Sequence, residues 1–225
     1  IGKGVAIKLL ECGAKVIAID KDEENLKQLK NEHPTIEIYA IDISNWENTK
    51  NLISQIGPFE LLVNNAAVLK PKLIGNITED DVDSQLAVNV KAIINITQEV
   101  AKGMIDNKRV ACSIVNVSSI VSSVATKGCL VYGATKAAID QITRVSALEL
   151  GKHQIRVNAI NPGPVMTKML QGATPEALQA VIGRMPLQRA AQVNDVANLI
   201  AYLLSEKADM ITGACIPIDG GYSSC

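Results

Sequence analysis

Short, nearly continuous apolar runs alternate along the chain with longer stretches of helical period. The runs lie at residues 15–20, 35–42, 59–64, 113–118 and 156–160. Runs of this length are typical of strands buried on both faces, whereas the charged stretch 22–30 places acids first and bases later, as a helix dipole favours. Ser44 and Glu47 have the spacing of a capping box for the next helix. The alternation predicts an α/β fold with a doubly wound, Rossmann-like parallel sheet and helices on both faces.

Composition and charge narrow the class of protein. At 225 residues, with 48% hydrophobic and 20% charged residues and no linker, the sequence predicts one domain over residues 1–225. A net charge of −1 without a basic tract argues against nucleic acid or a membrane surface as partner. Five widely spaced cysteines predict neither a metal site nor a disulfide framework, and favour reduced thiols in a cytoplasmic protein. No apolar run approaches the roughly 20 residues of a membrane span.

Polar residues stand at the end of each apolar run. They are Asp20, Asp42, Asn64 with Asn65, Ser118 with Ser119, and Asn161 with Pro162 and Gly163. All are common turn residues, so any single one is explained by the turn that follows a strand. The carboxyl ends of parallel strands meet at one edge of the sheet, where α/β proteins bind ligands. The five positions together therefore predict a site at that edge.

Tyr132 and Lys136 are the candidates for proton chemistry. If Tyr132 opens a helix, Lys136 lies one turn later on the same face. A phenol with a reference pKa of about 10 is a poor acid and base at neutral pH, and a nearby ammonium is expected to lower that pKa. Ser119 follows the strand at 113–117 and can donate a hydrogen bond to a carbonyl oxygen. Tyrosine and lysine at this spacing are common on helix surfaces, so the pair gains weight only from its neighbours.

Four motifs, in order, resemble the short-chain dehydrogenases/reductases, and the resemblance covers essentially the whole chain. Asn64-Asn65-Ala66-Ala67 is similar to the family's Asn-Asn-Ala-Gly, with Ala67 in place of the usual Gly. The other motifs are a set similar to the catalytic tetrad (Asn89, Ser119, Tyr132, Lys136), the segment 161–167 that resembles the family's nicotinamide contact, and the closing turn Asp219-Gly220-Gly221. The resemblance implies an oxidoreductase that transfers a hydride between a nicotinamide dinucleotide and a small carbonyl or alcohol, with no metal.

The resemblance also implies residue roles. Ser119 would bind the carbonyl oxygen, Tyr132 would deliver the proton, and Lys136 would keep the phenol acidic and hold the nicotinamide ribose. Asn89 would bind a water that links Lys136 to solvent. The expected cofactor-binding residues are Ile1, Gly2, Asp20, Lys21, Asp42, Ile43, Asn64, Ala66, Tyr132, Lys136, Pro162, Val165 and Thr167.

The amino end fits the same comparison. Family members open with a strand and a glycine-rich turn that cradles the pyrophosphate, and Ile1-Gly2 resembles the last two residues of that turn. The resemblance implies that the first strand and the first two glycines are missing before Ile1. Two strands would then have unpaired edges, and we expect weak cofactor binding and marginal stability.

Cofactor and substrate predictions rest on few positions. Asp20 can accept hydrogen bonds from both adenosine-ribose hydroxyls and would repel a 2′-phosphate, which favours NAD, whereas Lys21 favours NADP.

The nearest resemblance within the family is to dicarbonyl and L-xylulose reductases, which typically use NADPH and carry Ser-Arg where Asp20-Lys21 stands. The apolar Ile120 and Cys129 flank Ser119 and Tyr132, so a small dicarbonyl or other ketone fits at least as well as a pentulose.

The sequence leaves two alternative functions open and also predicts an oligomer. A 3-oxoacyl thioester reductase would share every motif, and a catalytically silent binding or structural member would share the fold, although the four intact tetrad residues argue against the latter. The resemblance implies a homotetramer or homodimer that pairs the helices near Asn89 and Tyr132. Ala137, Ile139 and Ile142 are the expected outer apolar positions.

Overall fold

The described part of the chain contains six strands and eight α-helices, most of them alternating. The computed structural model describes residues 1–167 and 174–224, without the side chains of residues 175 and 177. The strands are β1 Ile17–Asp20, β2 Glu37–Ala40, β3 Leu61–Asn64, β4 Ser113–Val117, β5 Arg156–Pro162 and β6 Cys215–Ile218. The helices are α1 Gly2–Glu11, α2 Glu23–Glu32, α3 Trp46–Ile56, α4 Glu79–Leu86, α5 Ala92–Asp106, α6 Leu130–Leu150, α7 Pro175–Ile182 and α8 Val193–Leu204. The predicted α/β alternation is confirmed.

All strand pairs are parallel, and they form two sheets. Strands β1 and β2 pair with each other, and β3, β4, β5 and β6 follow one another in a second sheet. Among the described residues β1 and β3 therefore each have one edge without a strand partner.

Helices cover both faces of the four-stranded sheet, as the near-continuous apolar strands require. Successive side chains of a strand point to opposite faces, and β4 shows the result. Val115 and Val117 pack with Val5 of α1 and Ile200 of α8, whereas Ile114 packs in a separate cluster built by α3, α5 and α6. The alternation along β4 thus supplies two cores, one for each layer of helices.

Two local features differ from the sequence predictions. The N-cap of α3 is Asn45, whose side chain accepts from the Asn48 N–H, so the proposed capping box from Ser44 to Glu47 is wrong. The long helix predicted near residues 80–102 is interrupted by one π-helical turn, Ala87–Lys91, between α4 and α5. The hydrophobic periodicity of the sequence cannot reveal a helical turn that holds one extra residue. Such π-helical turns occur often at functional sites.

The interface positions predicted on α6 differ in their exposure. Ala137 is exposed and Ile142 is half-buried, but Ile139 is completely buried in the core of this chain. Ile139 therefore lies on the inward face of the helix and is not available to a second subunit.

Candidate active site

Helix α6 places Tyr132 and Lys136 together in its first two turns. The helix begins at Leu130, so both residues lie inside it and one turn apart, as predicted. Lys136 is only 1% exposed, and its ammonium donates to the main-chain oxygen of Val117 at 2.8 Å. The same nitrogen lies 5.3 Å from the centre of the Tyr132 ring. The end of β4 thereby fixes the lysine beneath the tyrosine.

The protonation of this pair differs from the sequence prediction. Burial raises the pKa of the Tyr132 phenol to about 12, with a smaller contribution from the nearby Cys129 thiolate. Burial also lowers the pKa of Lys136 to about 8, against the opposing effect of Asp140. Loss of hydration dominates the pKa of this phenol, so the expected lowering of the tyrosine pKa is wrong for this structure. Tyr132 is a neutral proton donor at physiological pH.

Ser119 lies between the end of β4 and a short 3₁₀ helix, Ile120–Ser122, that it caps. Its hydroxyl makes only long contacts, donating to the Pro162 oxygen at 3.5 Å and accepting from the Val121 N–H at 3.4 Å. Contacts at this limit are weak, so the hydroxyl can turn to a substrate oxygen at little cost. A methyl group added at Gly133 would lie 3.0 Å from the Val121 oxygen, which shows how closely α6 approaches this 3₁₀ helix.

Asn89 occupies the π-helical turn and is completely buried. Its side-chain oxygen accepts from the Val68 N–H at 2.8 Å, and its Nδ2 donates to the Val68 oxygen and to Thr135 Oγ1. The amide therefore fastens the segment after β3 to α6. Both amide hydrogens are used in these bonds, so the predicted water link to Lys136 would need another atom of Asn89.

Residues predicted to hold the adenosine stand at the ends of β1 and β2. Asp20 is exposed at the end of β1, where its carboxylate accepts from the Asp22 N–H, and Lys21 follows it, also exposed. Hydrogen bonds from Ser44 hold the pKa of the Asp42 carboxyl below its ordinary value. Ile43 is half-buried and packs on the core cluster formed by α3, α5 and α6.

The amino end of α1 fits an anionic group. The N-cap residue Ile1 offers no side-chain acceptor to the first amides of the helix, which are the groups that bind phosphates in many proteins. Gly2 stands against Asn65, because a methyl group at Gly2 would lie 2.7 Å from Asn65 Nδ2. The bare backbone at this helix end suits the close approach of a dinucleotide's pyrophosphate.

Asn64 departs from its predicted role, because its side chain points into the interior. It donates to Asn116 Oδ1 at 2.8 Å and to Thr97 Oγ1 at 3.1 Å. Asn116 in turn donates to Thr143 Oγ1 at 2.9 Å. These four buried side chains tie β3 and β4 to α5 and α6. Ala66, two residues beyond Asn64, is exposed at the sheet edge.

The segment after β5 carries the last predicted cofactor residues. Pro162 ends the strand, and Val165 is buried and bridges to Ala191. Thr167 is half-buried and is the last residue described before the chain resumes at Thr174. The backbone from 164 to 166 exchanges two hydrogen bonds with Ala191, which holds this segment beside the residues that lead into α8.

An apolar wall borders Ser119. Ile120 packs with Met185 and Tyr222, and Arg184 donates to the Tyr222 hydroxyl at 2.9 Å. The sequence analysis expects Ile120 to line the substrate pocket. In the structure it belongs to a packed cluster instead. Cys129 is half-buried beside Tyr132, and burial raises the pKa of its thiol.

Two kinds of feature are absent from the described residues, a metal-ligating cluster and a membrane-spanning helix. Between residues 1–167 and 174–224, no group of three or more His, Cys, Asp or Glu side chains could hold a metal ion. Over the same ranges, no helix combines the length and the apolar character that a membrane crossing needs.

Known proteins resemble this chain over its whole length. The family model described as enoyl-(acyl carrier protein) reductase, of the short-chain alcohol dehydrogenase type, matches residues 1–223. L-xylulose reductase from Mus musculus is 42% identical over 99% of this chain and 91% of its own length, and D-erythrulose reductase from Gallus gallus is 41% identical with the same coverage. The crystal structure of a putative 2-deoxy-D-gluconate 3-dehydrogenase from Agrobacterium tumefaciens, with bound NADP, superposes with a TM-score of 0.92 at 28% identity, covering 99% of this chain and 92% of that one.

Proposed function

The chain belongs to the short-chain dehydrogenase/reductase family, and from that premise we propose that it reduces a short ketose or a related small ketone, with Tyr132 as the proton donor. As a member, it is an oxidoreductase that uses a nicotinamide dinucleotide and a small carbonyl substrate. The relatives named for L-xylulose and D-erythrulose suggest a ketone that carries a neighbouring hydroxyl group.

The observation that supports this proposal is the buried Lys136, held beneath Tyr132 by the end of β4, the strand that Ser119 follows. When bound, the reduced nicotinamide supplies the hydride. The Ser119 hydroxyl donates a hydrogen bond to the substrate oxygen, and the neutral Tyr132 phenol donates its proton to that oxygen as negative charge develops. Lys136, anchored by Val117, offers its ammonium to the growing phenolate charge.

For the cofactor, we propose that Asp20 selects NAD over NADP. Its carboxylate stands exposed at the end of β1, where it would meet the adenosine ribose and repel a 2′-phosphate. Lys21 and the NADP-bound structural neighbour favour NADP instead. We expect Asp20→Ser to raise the preference for NADPH over NADH by about tenfold in kcat/KM, the size of one close charge contact. Lys21→Ala is the matched variant, and we expect it to lower the preference for NADPH over NADH.

A 3-oxoacyl thioester reductase is the second candidate function. The family model that matches residues 1–223 is described as enoyl-(acyl carrier protein) reductase, which supports an acyl thioester as an alternative substrate.

The experiment is a substrate panel. Oxidation of NADH and of NADPH is measured with L-xylulose, D-erythrulose, diacetyl and an acetoacetyl thioester. Highest kcat/KM with one of the three small ketones is the expected result. Turnover of the thioester alone would replace the first function with the second, and no turnover of any of the four would contradict both.

We also propose that the protein assembles as a homodimer or homotetramer and works in the cytoplasm. Ile94 of α5 and Val145 and Leu148 of α6 are large apolar side chains that this chain leaves exposed. The four described cysteines are free, which suits a reducing compartment. A monomeric mass in light scattering would contradict the assembly, and partition of the tagged protein into a secretory fraction would contradict the location.

A further inference from the structure

A buried acid and a buried amide stand directly behind the proposed catalytic residues. Asp140 of α6 is 8% exposed and lies one turn beyond Lys136 on the inward face of the helix. Asn161 of β5 is 6% exposed, and its Nδ2 lies 3.1 and 3.0 Å from the two carboxylate oxygens of Asp140. The mechanism proposed above uses neither residue.

Asn161 joins this carboxylate to the segment that carries Ser119. The same Nδ2 lies 3.2 Å from the main-chain oxygen of Ser119 and 2.9 Å from Ser122 Oγ. The other end of the amide, Oδ1, is buried without a hydrogen-bond partner among the described residues. Rotating the amide would put Oδ1 against the Asp140 oxygens, so the unmade hydrogen bond is tolerated because Nδ2 is needed where it stands.

We propose that Asp140 and Asn161 are positioning residues for the catalytic set: Asp140 is the buried counter-charge of Lys136, and Asn161 ties that carboxylate to the main chain at Ser119. Asp140 and Asn161 would then keep Lys136 of α6 and Ser119, which follows β4, in a fixed position relative to each other. A displacement of about 1 Å between such groups costs on the order of 100-fold in rate.

Asp140 opposes the effect of burial on the charge of Lys136. Among the described residues, Asp140 is the charged group that acts on Lys136. Tyr132, on the same helix, stays neutral at physiological pH because its pKa is raised to about 12. Cys215 of β6 places its thiol against the main-chain oxygen of Asp140, and burial raises its pKa to about 11. Arg144 interacts with Cys215 and favours its thiolate.

The charge role is tested on the full chain by NMR titration of lysine labelled with ¹³C at Cε, with Lys136→Met identifying the resonance. Asp140→Asn keeps the shape and the acceptor for Asn161 but removes the charge. We expect the titration midpoint of Lys136 to fall by roughly one pH unit. Glu149→Gln removes an exposed charge from the same helix and should leave the midpoint in place. An unmoved midpoint in Asp140→Asn would overturn the charge role.

The linking role is tested separately with Asn161→Ser, which keeps Asp140 charged and removes the bond to Ser119. We expect about a 100-fold lower kcat, an unmoved Lys136 midpoint and an unmoved alkaline limb of the pH profile. In Asp140→Asn that alkaline limb should move to lower pH, because Lys136 loses its proton sooner. Unchanged kcat in Asn161→Ser would overturn the linking role. The inference rests on the proposed function for the meaning of kcat, but the lysine titration needs no turnover and decides the charge role even if no ketone is reduced.

Discussion

Lys136 Nζ lies 5.3 Å from the centre of the Tyr132 ring while it donates to the Val117 main-chain oxygen. The bond to Val117 holds the ammonium under the ring, where Lys136 is only 1% exposed. Burial then acts on both partners, raising the pKa of the phenol and lowering that of the ammonium. The pair is therefore set for proton donation by tyrosine, the step that reduction of a ketone requires.

The buried lysine predicts how stability depends on pH. The folded-state pKa of Lys136 is about 8, below the ordinary 10.5, so between these values the unfolded chain holds a proton that the folded chain has lost. The free energy of unfolding contributed by this group therefore rises from pH 8 to pH 10.5, by up to about 3 kcal/mol. The free energy of unfolding is measured by urea titration of the wild type and of Lys136→Met between pH 8 and pH 10.5. The difference between the two proteins gives the contribution of Lys136. Parallel curves for the two proteins would contradict a lowered pKa of Lys136 in the folded protein.

Gly133 predicts a local effect on catalysis. In Gly133→Ala the new methyl group would lie 3.0 Å from the Val121 oxygen, so the 3₁₀ helix beside Ser119 must move by a few tenths of an ångström. We expect kcat to fall by about tenfold, while the added helix propensity of alanine keeps the protein folded. The control is Gly151→Ala, where the methyl group meets no heavy atom within 4 Å. Equal kcat values in the two variants would show that the close approach has no catalytic consequence.

The interior amide network predicts a large loss of stability. Asn116→Leu removes two buried hydrogen bonds, from Asn64 Nδ2 to Asn116 Oδ1 and from Asn116 Nδ2 to Thr143 Oγ1, and places an apolar side chain against these polar groups. We expect the free energy of unfolding to fall by about 3 kcal/mol in urea titrations. Asn76→Ala, at an exposed position, should change it by less than about 0.5 kcal/mol. A loss below about 1 kcal/mol in Asn116→Leu would be evidence against the network's structural role.

The positions of strands and of the Tyr132–Lys136 pair follow from sequence because they depend on local spacing. Buried parallel strands are continuous apolar runs, and residues four apart share a helix face whatever the rest of the chain does. The turn residues at the strand ends could likewise be placed at one edge of the sheet.

Side-chain direction and protonation depend on contacts between distant segments, and these are not visible in the sequence. Asn64 and Asn161 both stand at strand ends, yet both turn inward, because the register of β3 on β4 and the packing of α6 on β5 place partners there. The pKa of Tyr132 depends on burial by elements far apart in the chain. Residue spacing shows that an ammonium lies near the phenol but does not show how deeply the phenol is buried. For this reason the sequence predicts a lowered pKa of Tyr132, whereas the structure raises it.

The central claim is that Tyr132 donates the proton in ketone reduction. The most direct measurement compares kcat for the wild type and Tyr132→Phe, using the best ketone of the substrate panel with saturating reduced cofactor. Fluorescence titration of the cofactor is run on both proteins as the control for binding. We predict about a 1000-fold lower kcat in the variant, with cofactor affinity changed by less than about threefold. A kcat within about tenfold of the wild type would contradict proton donation by Tyr132.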